Sequence, residues 1–162
     1  MRHLLALILV SLMLSACGLK PLYSGGSTGA VASTLGTVMV EPISGKNGWL
    51  MRNALNDRLG STQPASAKFR LVVALDDQIE GFGVRADDTV TRERRTLRAR
   101  YQLVSLTTGE TVLDATAGAD AGIDVVSSEY ATIASENTAL ENLTQRVADQ
   151  IVTRLSLYAG GE

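Results

Sequence analysis

Leu97-Arg98-Ala99-Arg100-Tyr101-Gln102-Leu103 alternates apolar and polar residues without a break, and this run decides the fold. A period of two places Leu97, Ala99, Tyr101 and Leu103 on one face of a strand and Arg98, Arg100 and Gln102 on the other. Upstream, Phe69, Leu71, Val73 and Leu75 alternate with Arg70, Val72 and Ala74 in the same way, and Gln78 to Phe82 extends that strand. Gly83 to Asp88 carries turn residues between the two. Downstream, Thr107-Thr108-Gly109-Glu110 is a hairpin turn that returns the chain into Thr111 to Ala121. Three consecutive antiparallel strands follow, longer than the usual five or six residues.

An apolar sheet face needs a cover. From about Ser128 to Leu157, residues Ile133, Leu140, Leu143, Val147, Ile151, Leu155 and Tyr158 recur at helical steps, with Ser127 or Ser128 as N-cap. This stripe matches the face made by Phe69, Leu71, Val73, Leu97, Tyr101 and Leu103. Before the sheet region, Thr37 to Glu41 is a short β-branched strand, and Asn47-Gly48 reads as a turn. Trp49 to Leu59 reads as a helix that Gly60 closes. Trp49 is expected in the core or as a staple, as tryptophan is highly buried on average. The expected fold is α+β: a two-layer sandwich of a mainly antiparallel four-stranded sheet with two helices on one face, in the order β-α-β-β-β-α.

The N-terminal segment has the parts of an export signal. Arg2 precedes the apolar run Leu4 to Leu14, and Ser15-Ala16 leads to Cys17. About eleven apolar residues fall short of the roughly 20 that a spanning helix needs. Leu14-Ser15-Ala16-Cys17 resembles the lipobox of bacterial lipoproteins, which implies acylation of Cys17 and loss of residues 1–16. A diacylglyceryl and an N-acyl chain together anchor a protein stably, where one chain binds marginally. Residues 17–36 then read as lipidated anchor and flexible tether, Gly/Ser/Thr/Ala-rich from Ser24 onward, and residues 37–162 as a single domain. Gly18 in place of Asp favours the outer membrane.

Composition closes several function classes. The only histidine, His3, lies in the leader, and the only cysteine is Cys17. A Ser-His-Asp triad, a Cys-His pair or a Cys/His zinc site cannot be built from the remainder. Catalysis by two carboxylates stays open. Nothing points to it, and an aromatic content of 4% supplies a sugar-binding cleft poorly. Removing Arg2 with the leader takes the formal charge from −2 to about −3, so no general attraction to nucleic acid follows. No metal or cofactor is expected.

One feature breaks the acidic balance: Arg92, Arg94, Arg95, Arg98 and Arg100 fall within nine positions. In a regular strand Arg92, Arg94, Arg98 and Arg100 share a face, a row of forks suited to phosphate or carboxylate oxygens. A first hairpin centred near Arg85 and Ala86 sets Arg92 against Ile79 or Glu80, and Arg95 against Asp76 or Asp77 as structural pairs. A second hairpin centred on Thr108-Gly109 sets Arg98 and Arg100 against Ala119 and Ala117, with Ala74 and Val72 on the other side. That register gives them no acidic neighbour and makes them the leading anion-binding candidates.

Cys17-Gly18-Leu19-Lys20-Pro21-Leu22-Tyr23 resembles the start of mature LPS-assembly lipoproteins of the LptE family, formerly rare lipoprotein B. Arg52-Asn53-Ala54-Leu55, Thr107-Thr108-Gly109 and Gln150-Ile151-Val152-Thr153-Arg154-Leu155 follow the family's order. The resemblance implies a non-enzymatic outer-membrane lipoprotein on the periplasmic face. Such a protein partners the β-barrel LptD, assists its assembly, plugs it and contacts lipopolysaccharide. Arg98, Arg100, Arg92 and Arg94 are candidates for that contact from the strand pattern alone. An auxiliary lipoprotein of an ABC-type lipid-transport system is the alternative.

Overall fold

A computed structural model describes residues 29–60, 67–84 and 90–161. Residues 1–16, expected to be a leader, Cys17 and the Lys20-Pro21-Leu22-Tyr23 motif lie outside the described residues. In chain order the elements are α1 (Ala30–Leu35), β1 (Val38–Val40), α2 (Gly45–Leu59), β2 (Phe69–Val84), β3 (Val90–Ser105), β4 (Thr111–Asp124) and α3 (Glu129–Gly160). The sheet order is β1-β2-β3-β4, with β1 parallel to β2 and the other pairs antiparallel. The expected α+β sandwich is therefore the observed one.

Alternation in the strands sets the two faces. Leu71, Val73, Leu97, Ala99, Tyr101, Leu103 and Ala117 point inward and are buried. Against them lie Met51, Ala54, Leu55 and Leu59 of α2 and Leu140, Leu143, Val147, Ile151 and Leu155 of α3. Each fully buried Leu or Ile side chain contributes about 1.5–3 kcal/mol, so this interface dominates the stability. Ser128 caps α3, its hydroxyl accepting from the Ala131 N–H at 3.4 Å, and Tyr158 meets Phe69 edge to face at 6.3 Å.

Four local expectations differ from what forms. The stretch read as tether to Gly36 ends in α1, whose Leu35 is buried in the core, because Val31 and Leu35 lie one turn apart and find an apolar neighbour. Helix α2 starts at Gly45, so Asn47-Gly48 lies inside its first turn and not in a loop before it. Gly48 makes this possible: a Cβ there would lie 2.6 Å from the carbonyl carbon of Ile43. Trp49 is 63% exposed and takes no part in the core. Met51 lies about 200° around the helix from Trp49, so the face that buries Met51 and Leu55 leaves Trp49 outward. Ile133, assigned to the buried stripe, is also exposed, since at this end of α3 the face that carries the buried Thr132 and Ala139 turns inward.

Candidate functional site: the open face of the sheet

No described helix covers the second face of the sheet. Its centre line is the β3 row Arg92, Arg94, Arg98 and Arg100, which the structure does bring to one face. Beside it on β2 lie Ala74, Asp76, Gln78, Glu80 and Phe82, and on β4 Asp114, Thr116, Gly118, Asp120, Gly122 and Asp124. Cations along the middle are thus flanked by carboxylates and small residues.

The register is not the one the turns suggest. Val84 pairs with Val90, which centres the first hairpin near residue 87 and slides β2 three residues against β3. Arg92 therefore faces Phe82, and Arg98 faces Asp76. On β4 the partners of Arg98 and Arg100 are Gly118 and Thr116, one residue from expectation, with a bulge at Leu103/Val104. Directly opposed residues share a face, so the inward alternation of Leu71 and Leu97 excludes the expected pairing of Arg98 with Ala119 and of Arg100 with Ala117, and leaves open only registers two residues apart.

This shift changes what each arginine meets. Arg100 does have an acidic neighbour, and the expectation of none is corrected. Its Nη2 donates to Asp114 at 2.8 Å and its Nε at 3.2 Å, while Gln102 donates to the same carboxylate at 2.8 Å. The arginine bond first, then the Gln102 bond, hold the Asp114 carboxyl below its usual range. Arg92 donates to Asp124 at 3.0 Å. Arg94 stacks on the Phe82 ring with its guanidinium carbon 5.4 Å from the centroid, a cation–π contact. Arg98 makes no hydrogen bond or ion pair to a described residue. It lies across Gly118, where a Cβ would fall 2.6 Å from Cδ of Arg98 and closer still to Nη1. A glycine inside a strand is a signal of such close approach.

Beside Arg98 and Arg100 the face holds a depression of about 420 Å³, floored by Ala74 and Ala99 and edged by Asp76 and Thr116. An anionic group entering it would find Arg98, which has no carboxylate partner among the described residues, on its rim. Arg100 could join by exchanging Asp114 for the incoming oxygen.

Arg95 takes the opposite face, as its odd position requires. It is buried, its Nε donates to Asp77 at 2.8 Å and its Nη1 to the Glu136 carbonyl at 2.8 Å. Asn47 also donates to Asp77. The bonds to Asp77 raise the Arg95 pKa against the opposing effect of burial. The expected structural pair of Arg95 with Asp76 or Asp77 thus forms with Asp77, diagonally across the strands, and ties both helices to the sheet.

Comparison with known proteins places this architecture. The family model described as "LptE: Lipopolysaccharide-assembly" matches residues 35–155. An uncharacterized protein of Rickettsia prowazekii (strain Madrid E) is 26% identical over 156 residues, 96% of this chain and 97% of that one. Among solved structures, a Caulobacter crescentus CB15 protein is similar with a TM-score of 0.70 and 24% identity, covering 83% of this chain and all of the other. Rare lipoprotein B from Shewanella oneidensis has a TM-score of 0.59 at 10% identity, covering 76% and 95%. At those identities the two structures speak for the fold.

Proposed function

The chain belongs to the LptE lipopolysaccharide-assembly family, and from that premise we propose that it is an outer-membrane lipoprotein that works by contact and not by catalysis. In this reading Cys17 is acylated after loss of residues 1–16 and residues 17–28 tether the domain at the periplasmic face. The folded part partners the LptD β-barrel, assists its assembly and plugs it during lipopolysaccharide export. The observation that carries it is the family match, which runs from the end of α1 through most of α3 and so includes every strand.

The open sheet face supports a role in contacting lipopolysaccharide. A row of guanidinium forks offers bidentate bonds to phosphate oxygens. Within the row, Arg98 and Arg94 hold no carboxylate among the described residues, whereas Arg92 and Arg100 are held by Asp124 and Asp114. Binding therefore rests first on Arg98 and Arg94, with Arg92 and Arg100 recruited by partner exchange.

Two measurements test this. The native protein, extracted in detergent, is expected to co-purify with a large barrel, and replacement of Cys17 by Ala is expected to release it from the membrane. Arg94→Glu with Arg98→Glu is expected to weaken lipopolysaccharide binding at least tenfold with the fold intact. A monomer free of any barrel at native abundance, together with unchanged lipopolysaccharide binding by the variant, would overturn the proposal.

A further inference from the structure

The free edge of the sheet carries a second feature that the arginine face does not explain. Strand β4 is the last in the sheet, and its outward backbone groups can be identified. The Gly118 N–H donates to the Gln150 side chain at 3.1 Å, and the Gly118 carbonyl accepts from the same carboxamide at 3.2 Å. Gly118 thus turns both backbone groups away from β3. Pairing continues without a shift to Arg92↔Asp124, so Asp120, Gly122 and Asp124 present theirs the same way. Consistently, the Asp120 carbonyl accepts from Arg146 at 3.2 Å, and the intervening Val125 N–H turns inward to Thr91.

Side chains of helix α3 therefore cover the edge at Gly118 and Asp120, in the middle of β4. The carboxamide of Gln150 occupies the place of a neighbouring strand at Gly118. Beyond Asp120 the backbone groups of Gly122 and Asp124 meet no described residue, and both residues are exposed. At this point the edge and the helix diverge into a groove of about 560 Å³ between Gly122, Ile123 and Val126 on one side and Ala134, Thr138 and Arg146 on the other. An edge with open backbone groups beside an antiparallel helix is a template for an added strand.

We propose that this groove binds an extended segment of a partner protein, which adds as a fifth strand to β4 along Asp120 to Asp124. Outward groups recur every second residue, about 6.7 Å apart, a spacing that an extended backbone matches. Alternate side chains of the segment fall into the groove against Ile123, Val126 and Ala134 and are apolar. A further residue of the segment, where it reaches Arg146 at the rim, is acidic, because Arg146 has no carboxylate partner among the described residues and keeps most of its donors free. A second copy of this chain fits poorly: antiparallel pairing of two copies of β4 over Asp120 to Asp124 would set Asp120 opposite Asp124 twice, and like charges opposite are destabilising. The chain's own residues 17–28 also fit poorly, as they contain Pro21, two adjacent glycines and no acidic residue.

The test pans a displayed library of random nine-residue peptides on the purified chain and follows amide exchange by NMR. Enriched peptides are expected to alternate apolar and polar residues around one Asp or Glu, and to slow exchange at Gly122 and Asp124 at least tenfold. Gly122→Pro removes an outward N–H that β3 does not use, and is expected to weaken binding at least tenfold. Thr138→Trp fills the groove from the helix side with no change to the strand, so it decides the matter if the proline variant does not fold. The proposal is overturned if no peptide is enriched, or if binding survives in the folded variants. It is equally overturned if the free chain already protects Gly122 and Asp124 and loses that protection on deletion of residues 17–28, or on dilution.

Discussion

Removing either partner of the Arg95–Asp77 pair should destabilise the domain more than removing both. The two side chains are 10% and 12% exposed and sit where β2, β3, α2 and α3 meet. At an effective dielectric near 20 and about 4 Å, their attraction is about 4 kcal/mol, and together with the bonds from Asn47 and to the Glu136 carbonyl it offsets the several kcal/mol that each ion loses on leaving water. The pair is thus close to neutral overall, but a lone survivor is not. Asp77→Leu leaves Arg95 with only the Glu136 carbonyl and strands the Asn47 amide, and Arg95→Met leaves Asp77 with Asn47 alone. Each single change should cost about 3 kcal/mol. The double variant loses mainly the Asn47 bond, about 1 kcal/mol, with imperfect packing adding a similar amount. Urea unfolding of the four proteins is the assay, and each single variant should melt about 12 °C lower, at about 4 °C per kcal/mol for a domain of this size. A single variant within about 1 kcal/mol of the parent, or a double variant equal to the sum of the singles, would refute the reasoning.

Three further outcomes are expected. Gly118→Ala should displace Arg98 while shifting stability by no more than about 1 kcal/mol, since the atoms in the way belong to a flexible side chain; an unmoved Arg98 Nε–H resonance would contradict the close approach. Gly48→Ala meets backbone at Ile43 and not a movable side chain, so it should cost about 1–3 kcal/mol in urea unfolding, and a neutral result would count against the tight first turn of α2. Burial raises the Tyr101 phenol above its ordinary 10.0, against a smaller opposing effect of Arg154. The folded state favours the neutral phenol, so its contribution is complete below that value and is lost as pH rises through the folded pKa. Unfolding midpoints measured from pH 9 upward should fall, and Tyr101→Phe should make that fall shallower.

Much of this architecture was legible before any coordinates. Alternation from Phe69 to Leu75 and from Leu97 to Leu103 requires two strands with one apolar face. The stripe from Leu140 to Leu155 supplies the helix that covers it. These are local properties: the period of a strand or helix is set by bond geometry, and the side chains that share a face follow from it. The even-numbered arginines could be placed on one face for the same reason.

Tertiary structure alone decided which atoms those arginines meet. A strand can slide by two residues with its apolar face still inward, so the pairing of Arg100 with Asp114 and the approach of Arg98 to Gly118 depend on where the hairpins close. Trp49 faces solvent because the first turn of α2 packs Gly48 against Ile43, a contact between residues whose separate preferences do not announce it. Which outward groups of β4 are covered depends on where Gln150 and Arg146 of α3 reach the edge. Periodicity along a chain specifies faces, whereas register, helix phase and the gaps between elements are set by packing among segments distant in sequence.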